Sequence, residues 1–188
     1  MSSRSTIKNY LSLIKFSHTI FAMPFALIGF FLAVMHESAA AATGPWYQRY
    51  GWTLLLVVLC MVFARSAAMA FNRYLDRQFD ARNPRTAIRE IPAGIIGANQ
   101  ALLFTLLNAL LFVVTCWFIN PLCFALSFVA LFVVLFYSYT KRFTPLCHLV
   151  LGLGLSLAPI GAYLAVTGAF DILPLLFSFT VLFWVSGF

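Results

Sequence analysis

Charged side chains are scarce in this sequence, and acidic ones are almost absent. Only 9% of its 188 residues are charged, and just five are aspartate or glutamate. A soluble domain keeps about a quarter of its residues charged. With 63% hydrophobic residues and a mean hydropathy of +0.96, this chain cannot cover a surface that faces water. The composition therefore excludes a soluble globular domain and predicts a membrane protein.

Cysteine and histidine are also few, and their spacing excludes the common metal and redox motifs. The four cysteines form no C-x-x-C pair, and three of them fall within apolar segments, so we interpret those three as small core residues. The three histidines are too scattered for a metal site. The net charge of +7 does not indicate nucleic-acid binding, because the basic residues flank apolar segments.

Long apolar segments predict a bundle of transmembrane helices. A transmembrane helix needs about 20 apolar residues. Six segments have this character: residues 16–35, 51–71, 100–119, 121–139, 148–167 and 172–188. The third and fourth segments are separated only at Asn120–Pro121, a turn signal, which predicts a tight helical hairpin. The sequence therefore predicts an all-α membrane protein with six transmembrane helices.

The basic residues orient this bundle. With six spans, one side of the membrane collects ten of the twelve: Arg4, Lys8, Lys15, Arg73, Arg77, Arg82, Arg85, Arg89, Lys141 and Arg142. The other side has Arg49, and Arg65 lies within a span. Loops rich in lysine and arginine stay in the cytoplasm. We therefore expect a multi-pass protein of the inner (cytoplasmic) membrane whose N-terminus is cytoplasmic.

The few acidic residues are concentrated after the second segment. Asn72, Asp76 and Asp80 are spaced i, i+4 and i+8, so a helix would place them on one face. Arg65 lies on nearly the same face, about 10 Å deeper along the helix axis. An arginine within the bilayer is costly, so we expect Arg65 to line a cavity or to meet an anion.

These side chains suit a hard divalent cation. Mg²⁺ binds a few carboxylates, keeps some of its waters and takes phosphate oxygens as further ligands. Lys141 and Arg142, in another loop on the same side, could neutralise the remaining phosphate oxygens. This combination predicts a phosphorylated lipid as substrate.

A plainer interpretation assigns the same charges to topology. Asp76 and Asp80 would then pair with Arg73 and Arg77 on a solvated helix. Lys15, Lys141 and Arg142 would be anchors at the membrane interface.

The polar stretch also resembles a known motif. "NRYLDRQFDARNPRT" at 72–86, followed by "REIPAG", is similar to the first aspartate-rich motif of the UbiA-type membrane prenyltransferases. The flanks "LIKFSHTIFAMPFALIGF" and "YSYTKRFTPLCHLVLGLGLSLAPIGAYLAVTG" agree too, so the resemblance covers nearly the whole chain. The residues of this motif are most similar to those of the 4-hydroxybenzoate polyprenyltransferase branch of the family.

The resemblance implies a helical bundle around a central cavity that opens to the cytoplasmic side. In that family Mg²⁺ binds a polyprenyl diphosphate, the diphosphate leaves, and an aromatic ring captures the allylic cation. The expected function is therefore transfer of a polyprenyl group to an aromatic acceptor such as 4-hydroxybenzoate in quinone biosynthesis. The expected partners are a polyprenyl diphosphate, an aromatic acid and the bilayer, with no nucleic acid and no obligate protein partner.

The resemblance also assigns roles to individual residues. Asn72, Asp76 and Asp80 match the metal-binding positions, and Asp76, Asp80 and Lys141 are the expected catalytic residues. The diphosphate or the aromatic acid would be bound by Arg65, Asn72, Lys141 and Arg142.

The chain departs from the family in one respect. The family has a second aspartate-rich motif after the sixth helix and about nine helices, whereas this sequence stops at "FWVSGF". We therefore expect residues 1–188 to form a single but incomplete prenyltransferase domain that is inactive alone.

Other functions remain open at this stage. The acceptor could be an aromatic compound of menaquinone synthesis. A transporter of an anionic lipid, with Arg65 as its binding site, is an alternative of a different class. A CDP-alcohol phosphotransferase is excluded because its motif requires an Asp-Gly pair, which this sequence lacks.

Overall fold

The protein is a bundle of helices. The computed structural model describes the backbone of residues 3–40, 45–144 and 146–187, and their side chains except at 3–5, 16–18, 21 and 38–40. Within these ranges it contains no strand, and its seven helices are α1 (Ser3–Leu13), α2 (Phe16–Ala40), α3 (Trp46–Arg82), α4 (Ala98–Ile119), α5 (Pro121–Thr140), α6 (Cys147–Thr167) and α7 (Ile172–Ser186). The predicted all-α fold is confirmed. The side chain of Arg4 and residue Phe188, the last residue of the sixth apolar segment, lie outside the described residues.

Helices α3 to α6 are each long and apolar enough to cross a membrane. Helix α2, over its stretch Ala22–Glu37, and helix α7 are shorter apolar helices. Large apolar side chains on the outside of the bundle, such as Leu103, Phe132 and Phe183, are more than 60% exposed. Such a surface is stable against lipid but not against water. The chain is therefore a multi-pass membrane protein.

Helix α1 precedes the six predicted helices and was not predicted. It is only 11 residues long and has too few apolar residues for a span. Leu13 and Ile14 are buried against the bundle, whereas Ile7 and Leu11 are 63% and 43% exposed. Between α1 and α2, Lys15 has a φ of 45°, in the left-handed region that a residue with a Cβ rarely adopts.

Helix α3 extends well beyond the predicted apolar segment, which ended at residue 71. No glycine or proline occurs between positions 52 and 83 to interrupt it. It ends at Arg82, because the next residue, Asn83, is extended (φ −104°, ψ 118°). Pro84 disfavours a helical conformation in the residue before it. The eleven residues added carry the helix about 16 Å further at 1.5 Å per residue.

The predicted hairpin between the third and fourth apolar segments is present as α4 and α5. The Asn120 side chain accepts a hydrogen bond from the Cys123 amide (2.7 Å) and so caps α5, whose first residue is Pro121. The same side chain donates to the Leu164 carbonyl (2.9 Å). One asparagine therefore turns the chain and ties the hairpin to α6.

Small residues bring α6 close to two of its neighbours, α2 and α7. A Cβ on Gly29 of α2 would lie 2.1 Å from the Pro159 carbonyl oxygen of α6. A Cβ on Gly152 of α6 would lie 2.6 Å from the Leu182 carbonyl oxygen of α7. These contacts allow the α6 backbone to pack directly against the backbones of α2 and α7.

The interior is apolar, as expected from the composition. Its main cluster contains residues of all five helices from α2 through α6 and includes Phe30, Val57, Phe112 and Leu164. The cysteines in apolar segments belong to this core, and the thiols of Cys60 and Cys116 lie 3.6 Å apart. Their interpretation as small core residues is therefore confirmed.

A polar cluster joins α2, α6 and α7 at the opposite end of the bundle from the acidic motif. The Tyr163 hydroxyl lies 3.0 Å from His36 Nδ1 and donates to Asp171 Oδ2 (3.1 Å). Asp171 also caps α7 by accepting from the Leu173 amide. This amide and the Tyr163 hydroxyl lower the pKa of Asp171. The cluster holds the helix ends together far from Asp76.

Candidate functional site at the mouth of the apolar cavity

The last turns of α3 carry the acidic motif beyond the apolar segment. Asn72, Asp76 and Asp80 occupy successive turns of this one helix, as their spacing predicted. The Asp80 carbonyl accepts hydrogen bonds from the Asn83 amide (3.3 Å) and the Thr86 hydroxyl (3.0 Å), which fold the following loop back over the helix end. The three polar side chains are therefore held on a rigid element.

The second basic loop meets this helix directly. Lys141, the residue after α5, donates hydrogen bonds from its ammonium group to Asn72 Oδ1 and to Asp76 Oδ2. The Arg142 guanidinium lies 3.5 Å from Asp76 Oδ1 and donates to the Leu75 carbonyl (2.7 Å). The Asp76 side chain is only 17% exposed. Partial burial strengthens these charge contacts relative to pairs in open water.

Asp80 has a different partner. Arg89 donates to both oxygens of its carboxylate, at 2.7 and 2.9 Å. Arg89 lies in the α3–α4 loop, where the Glu90 carbonyl accepts from the amides of Ile95 and Ile96. The Asp80 side chain is only 9% exposed, and a single Arg89 nitrogen, Nη1, makes both contacts, so the buried carboxylate has a positive partner in place of water.

Two further charged residues lie behind Asp80. Arg73 is only 6% exposed, and charges of Asp80, Asp76, Arg89 and Glu90 surround it. Glu90 accepts a hydrogen bond from Ser12 of α1 (2.5 Å), which ties the α3–α4 loop to the N-terminal helix. The α3–α4 loop is therefore bound to α3 through Arg89 and Asp80 and to α1 through Glu90 and Ser12.

A cavity of about 560 Å³ opens beside Asn72. Apolar side chains of α2 to α6 form most of its wall. The charged or polar groups among its lining residues include Lys15, Arg65, Asn72 and Tyr137. The Arg65 Nε atom is buried and has no hydrogen-bond partner among the described residues. The expectation that Arg65 lines a cavity is thus matched by its position, while its ligand remains a prediction.

These residues fit a hard cation in part. Asn72 Oδ1 and Asp76 Oδ2 converge on one positive group, the Lys141 ammonium, so an amide and a carboxylate oxygen are already arranged around a cation. No three histidine, cysteine or carboxylate side chains in the described part of the chain form a metal cluster. A metal here would therefore need ligands from elsewhere, such as water or phosphate oxygens.

The structure groups the predicted site residues in two sets. Asn72, Asp76, Lys141 and Arg142 lie in contact, and Arg65 lines the cavity next to Asn72. Asp80 instead pairs with Arg89, so its role as a metal ligand remains a prediction. The plainer pairing of Asp76 and Asp80 with Arg73 and Arg77 is not what the structure shows. Arg77 donates to the Tyr74 carbonyl and lies over the Tyr74 ring.

Two residues at this site were not predicted. The sequence indicates an interface anchor at Lys15, but this residue lines the cavity. The charge pattern indicates only a topological role for Arg89, but this residue binds Asp80. No local sequence signal distinguishes either residue from other juxtamembrane cations. The position of Lys15 depends on helices far along the chain, and the pairing of Arg89 with Asp80 depends on how the α3–α4 loop folds.

Comparison with known proteins identifies the family. Residues 19–188 match the UbiA prenyltransferase family. The chain belongs to this family. It is 38% identical over 138 residues to the 4-hydroxybenzoate octaprenyltransferase of Tolumonas auensis, covering 73% of this chain and 48% of that protein. It is 39% identical over 103 residues to the enzyme of the same name from Vibrio cholerae, covering 55% and 36%. This member of the UbiA family thus spans about half the length of the Tolumonas protein.

Solved UbiA structures share the fold. The apo structure of a UbiA homolog from Aeropyrum pernix K1 matches with a TM-score of 0.76 at 28% identity, covering 91% of this chain and 61% of that one. A homolog from Archaeoglobus fulgidus, solved with GPP and Mg²⁺, matches with a TM-score of 0.66 at 19% identity, covering 95% and 60%. The resemblance noted in the sequence is therefore confirmed at the level of family and fold.

Proposed function

We propose that the protein transfers a polyprenyl group from its diphosphate to an aromatic acid such as 4-hydroxybenzoate, as a step of quinone biosynthesis. One observation carries the proposal. Asn72 and Asp76 meet Lys141 and Arg142 at the mouth of a cavity whose wall is mainly apolar. An anionic headgroup with a long apolar tail is the kind of molecule that such a combination would bind. The names of the UbiA relatives support the same reaction.

The acidic residues have the role of holding Mg²⁺ in this proposal. Asn72, Asp76 and Asp80 would hold the metal, and Asp80 would have to exchange its pairing with Arg89 for it. When bound, the metal neutralises charge on the departing diphosphate. The oxygens of Asn72 and Asp76 lie on a helix, so little reorganisation is needed as that charge develops.

The basic residues bind the anionic groups of the two substrates. Lys141 and Arg142 contact diphosphate oxygens that the metal leaves free. Arg65 and Lys15 line the cavity away from acidic partners and are suited to the carboxylate of the acceptor or to the diphosphate. Removal of a charged leaving group requires neutralisation of its charge and no nucleophilic side chain.

The apolar wall has two tasks. It accommodates the prenyl chain, and it excludes water that would otherwise capture the allylic cation. The C–O bond to diphosphate breaks, a ring carbon of the acceptor forms the new C–C bond, and the ring then loses a proton. Phe25, Phe112 and Tyr137 of the cavity wall could stabilise the cation through their ring faces.

The reaction is tested by release of diphosphate in the presence of an aromatic acceptor, in a protein that contains this chain and has the full length of its relatives. We expect release to require Mg²⁺, a prenyl diphosphate and the acceptor together. A panel that includes 4-hydroxybenzoate and an aromatic acid of menaquinone synthesis identifies the acceptor. A lipid transporter would move the prenyl diphosphate across a membrane without releasing diphosphate, and that result would contradict the proposal.

We further propose that the site opens to the cytoplasm in the inner membrane. The α3–α4 and α5–α6 loops lie at the same end of the bundle, since Lys141 contacts Asn72. Together with the last turns of α3, they carry seven of the twelve basic residues. Single cysteines placed at 77–90 and 141–144 should react with an impermeant reagent only from the cytoplasmic side. Cysteines at 45–48 should react only from the other side. Labelling of the first two windows from opposite sides would contradict the topology.

A further inference from the structure

Both carboxylates of the acidic motif already hold a cation of the protein. Lys141 lies against Asn72 and Asp76, and Arg89 binds Asp80 through both oxygens. Arg142 approaches Asp76 from the other carboxylate oxygen. These side chains are between 9% and 33% exposed, so water screens them only in part.

This arrangement is unfavourable for a free divalent ion. Two carboxylates face three basic side chains within the two contacting sets, so a metal entering alone would meet positive charge rather than an open acidic site. A metal that enters with a diphosphate brings its own negative charge. The same basic side chains would then gain phosphate oxygens as partners instead of losing carboxylate oxygens.

Lys141 is the residue best placed to make this exchange. Its compact ammonium has three donors on a flexible four-carbon stem, so it can occupy a metal position and then turn to a new anion. Its backbone lies just after the end of α5, where a side-chain movement does not disturb a helix interior. Arg142, in contrast, is also held by the Leu75 carbonyl and lies over the Phe79 ring.

We propose that the Lys141 ammonium occupies the metal position between Asn72 and Asp76 in the substrate-free protein and transfers to phosphate oxygens when metal and prenyl diphosphate bind. The inference rests on the proposed function, because it takes Asn72 and Asp76 as metal ligands. It predicts strong positive coupling: each of metal and diphosphate binds weakly alone and tightly with the other. By linkage, the coupling factor is the same whichever ligand is added first.

Binding of Mn²⁺ to the 188-residue chain in detergent tests the exchange. Free Mn²⁺ is measured by electron paramagnetic resonance, with and without geranyl diphosphate, and corrected for Mn²⁺ chelated by geranyl diphosphate in protein-free samples. The variants are Lys141→Met, which removes the charge, and Lys141→Arg, which keeps it. Lys8→Met removes an exposed lysine of α1 as the matched control. Circular dichroism confirms that each variant is folded.

We expect Lys141→Met to bind Mn²⁺ alone roughly tenfold tighter than the wild type or more, which is about 1.4 kcal/mol. Geranyl diphosphate should raise the Mn²⁺ affinity of the wild type and of Lys8→Met strongly, but that of Lys141→Met only slightly. Lys141→Arg should remain weak for Mn²⁺ alone.

Two outcomes would overturn the inference, and they separate it from the proposed function. If Lys141→Met binds Mn²⁺ alone no tighter than the wild type while geranyl diphosphate still promotes Mn²⁺ binding, the exchange is wrong but the metal site stands. If neither protein binds Mn²⁺ with or without geranyl diphosphate, the assignment of Asn72 and Asp76 as ligands fails as well. A variant that does not fold is replaced by Lys141→Gln, for which the expectations are the same.

Discussion

Asp76→Asn is expected to lower prenyl transfer more than a hundredfold. Asp76 is the carboxylate that meets both Lys141 and Arg142, and in the proposed reaction it holds the metal that neutralises the leaving diphosphate. Asparagine keeps the size of the side chain and removes its charge. A loss of about 3 kcal/mol of transition-state stabilisation is enough for this effect. The measurement is the initial rate of product formation at saturating Mg²⁺. It uses a protein that contains this chain and is as long as its relatives.

The matched control is Asp171→Asn, at the opposite end of the bundle. Asn can still cap α7, so this variant removes one carboxylate while keeping the local structure. We expect its rate to stay within about threefold of the wild type, since the removed charge lies far from the site and is screened by water and salt. Near-full activity of Asp76→Asn with Mg²⁺ would contradict the assignment of Asp76.

Gly29→Ala is expected to give the largest loss of stability among conservative changes in the described helices. The new Cβ would lie 2.1 Å from the Pro159 carbonyl oxygen, and the obstacle is backbone rather than a flexible side chain. Helices α2 and α6 would have to separate. Overpacking of this kind costs about 1–3 kcal/mol. For a chain of this length that lowers the Tm by roughly 2–12 °C.

The matched control is Gly161→Ala on α6, two residues from Pro159. A Cβ there meets nothing within 4 Å, so the change adds only helix propensity, worth up to about 1 kcal/mol in favour of alanine. Thermal unfolding of the 188-residue chain in detergent should therefore give a lower Tm than the wild type for Gly29→Ala and an equal or higher Tm for Gly161→Ala. Equal Tm values would mean that α2 and α6 are not in direct backbone contact.

The parts of the fold that depend on local pattern could be predicted from the sequence. The spacing of Asn72, Asp76 and Asp80 required only a continuous helix, which is present because no glycine or proline interrupts α3. The α4–α5 hairpin followed from Asn120 and Pro121 in the same way. The grouping of Lys141 with Asn72 could be anticipated because the positive-inside rule places both loops on one side.

The remaining features depend on contacts between segments far apart. Lys15 lines the cavity at a residue with a left-handed φ, and nothing in the charge pattern indicates either feature. The pairing of Asp80 with Arg89 depends on how the α3–α4 loop folds back, which the turn residues alone do not specify. Helix α1 is not evident from the sequence because its three aliphatic residues, Ile7, Leu11 and Leu13, are too few for a span.

Formation of a prenylated aromatic acid tests the central claim most directly. A protein of its relatives' full length that carries this chain is incubated with geranyl diphosphate and 4-hydroxybenzoate, with Mg²⁺ or with a chelator, and the products are identified by mass spectrometry. We predict geranyl-4-hydroxybenzoate and one diphosphate per product with Mg²⁺, and neither with the chelator or with Asp76→Asn. Product that forms equally well with the chelator or with Asp76→Asn would contradict the account. Geranyl diphosphate that binds and crosses the membrane without reacting, whichever acceptor is offered, would also contradict it.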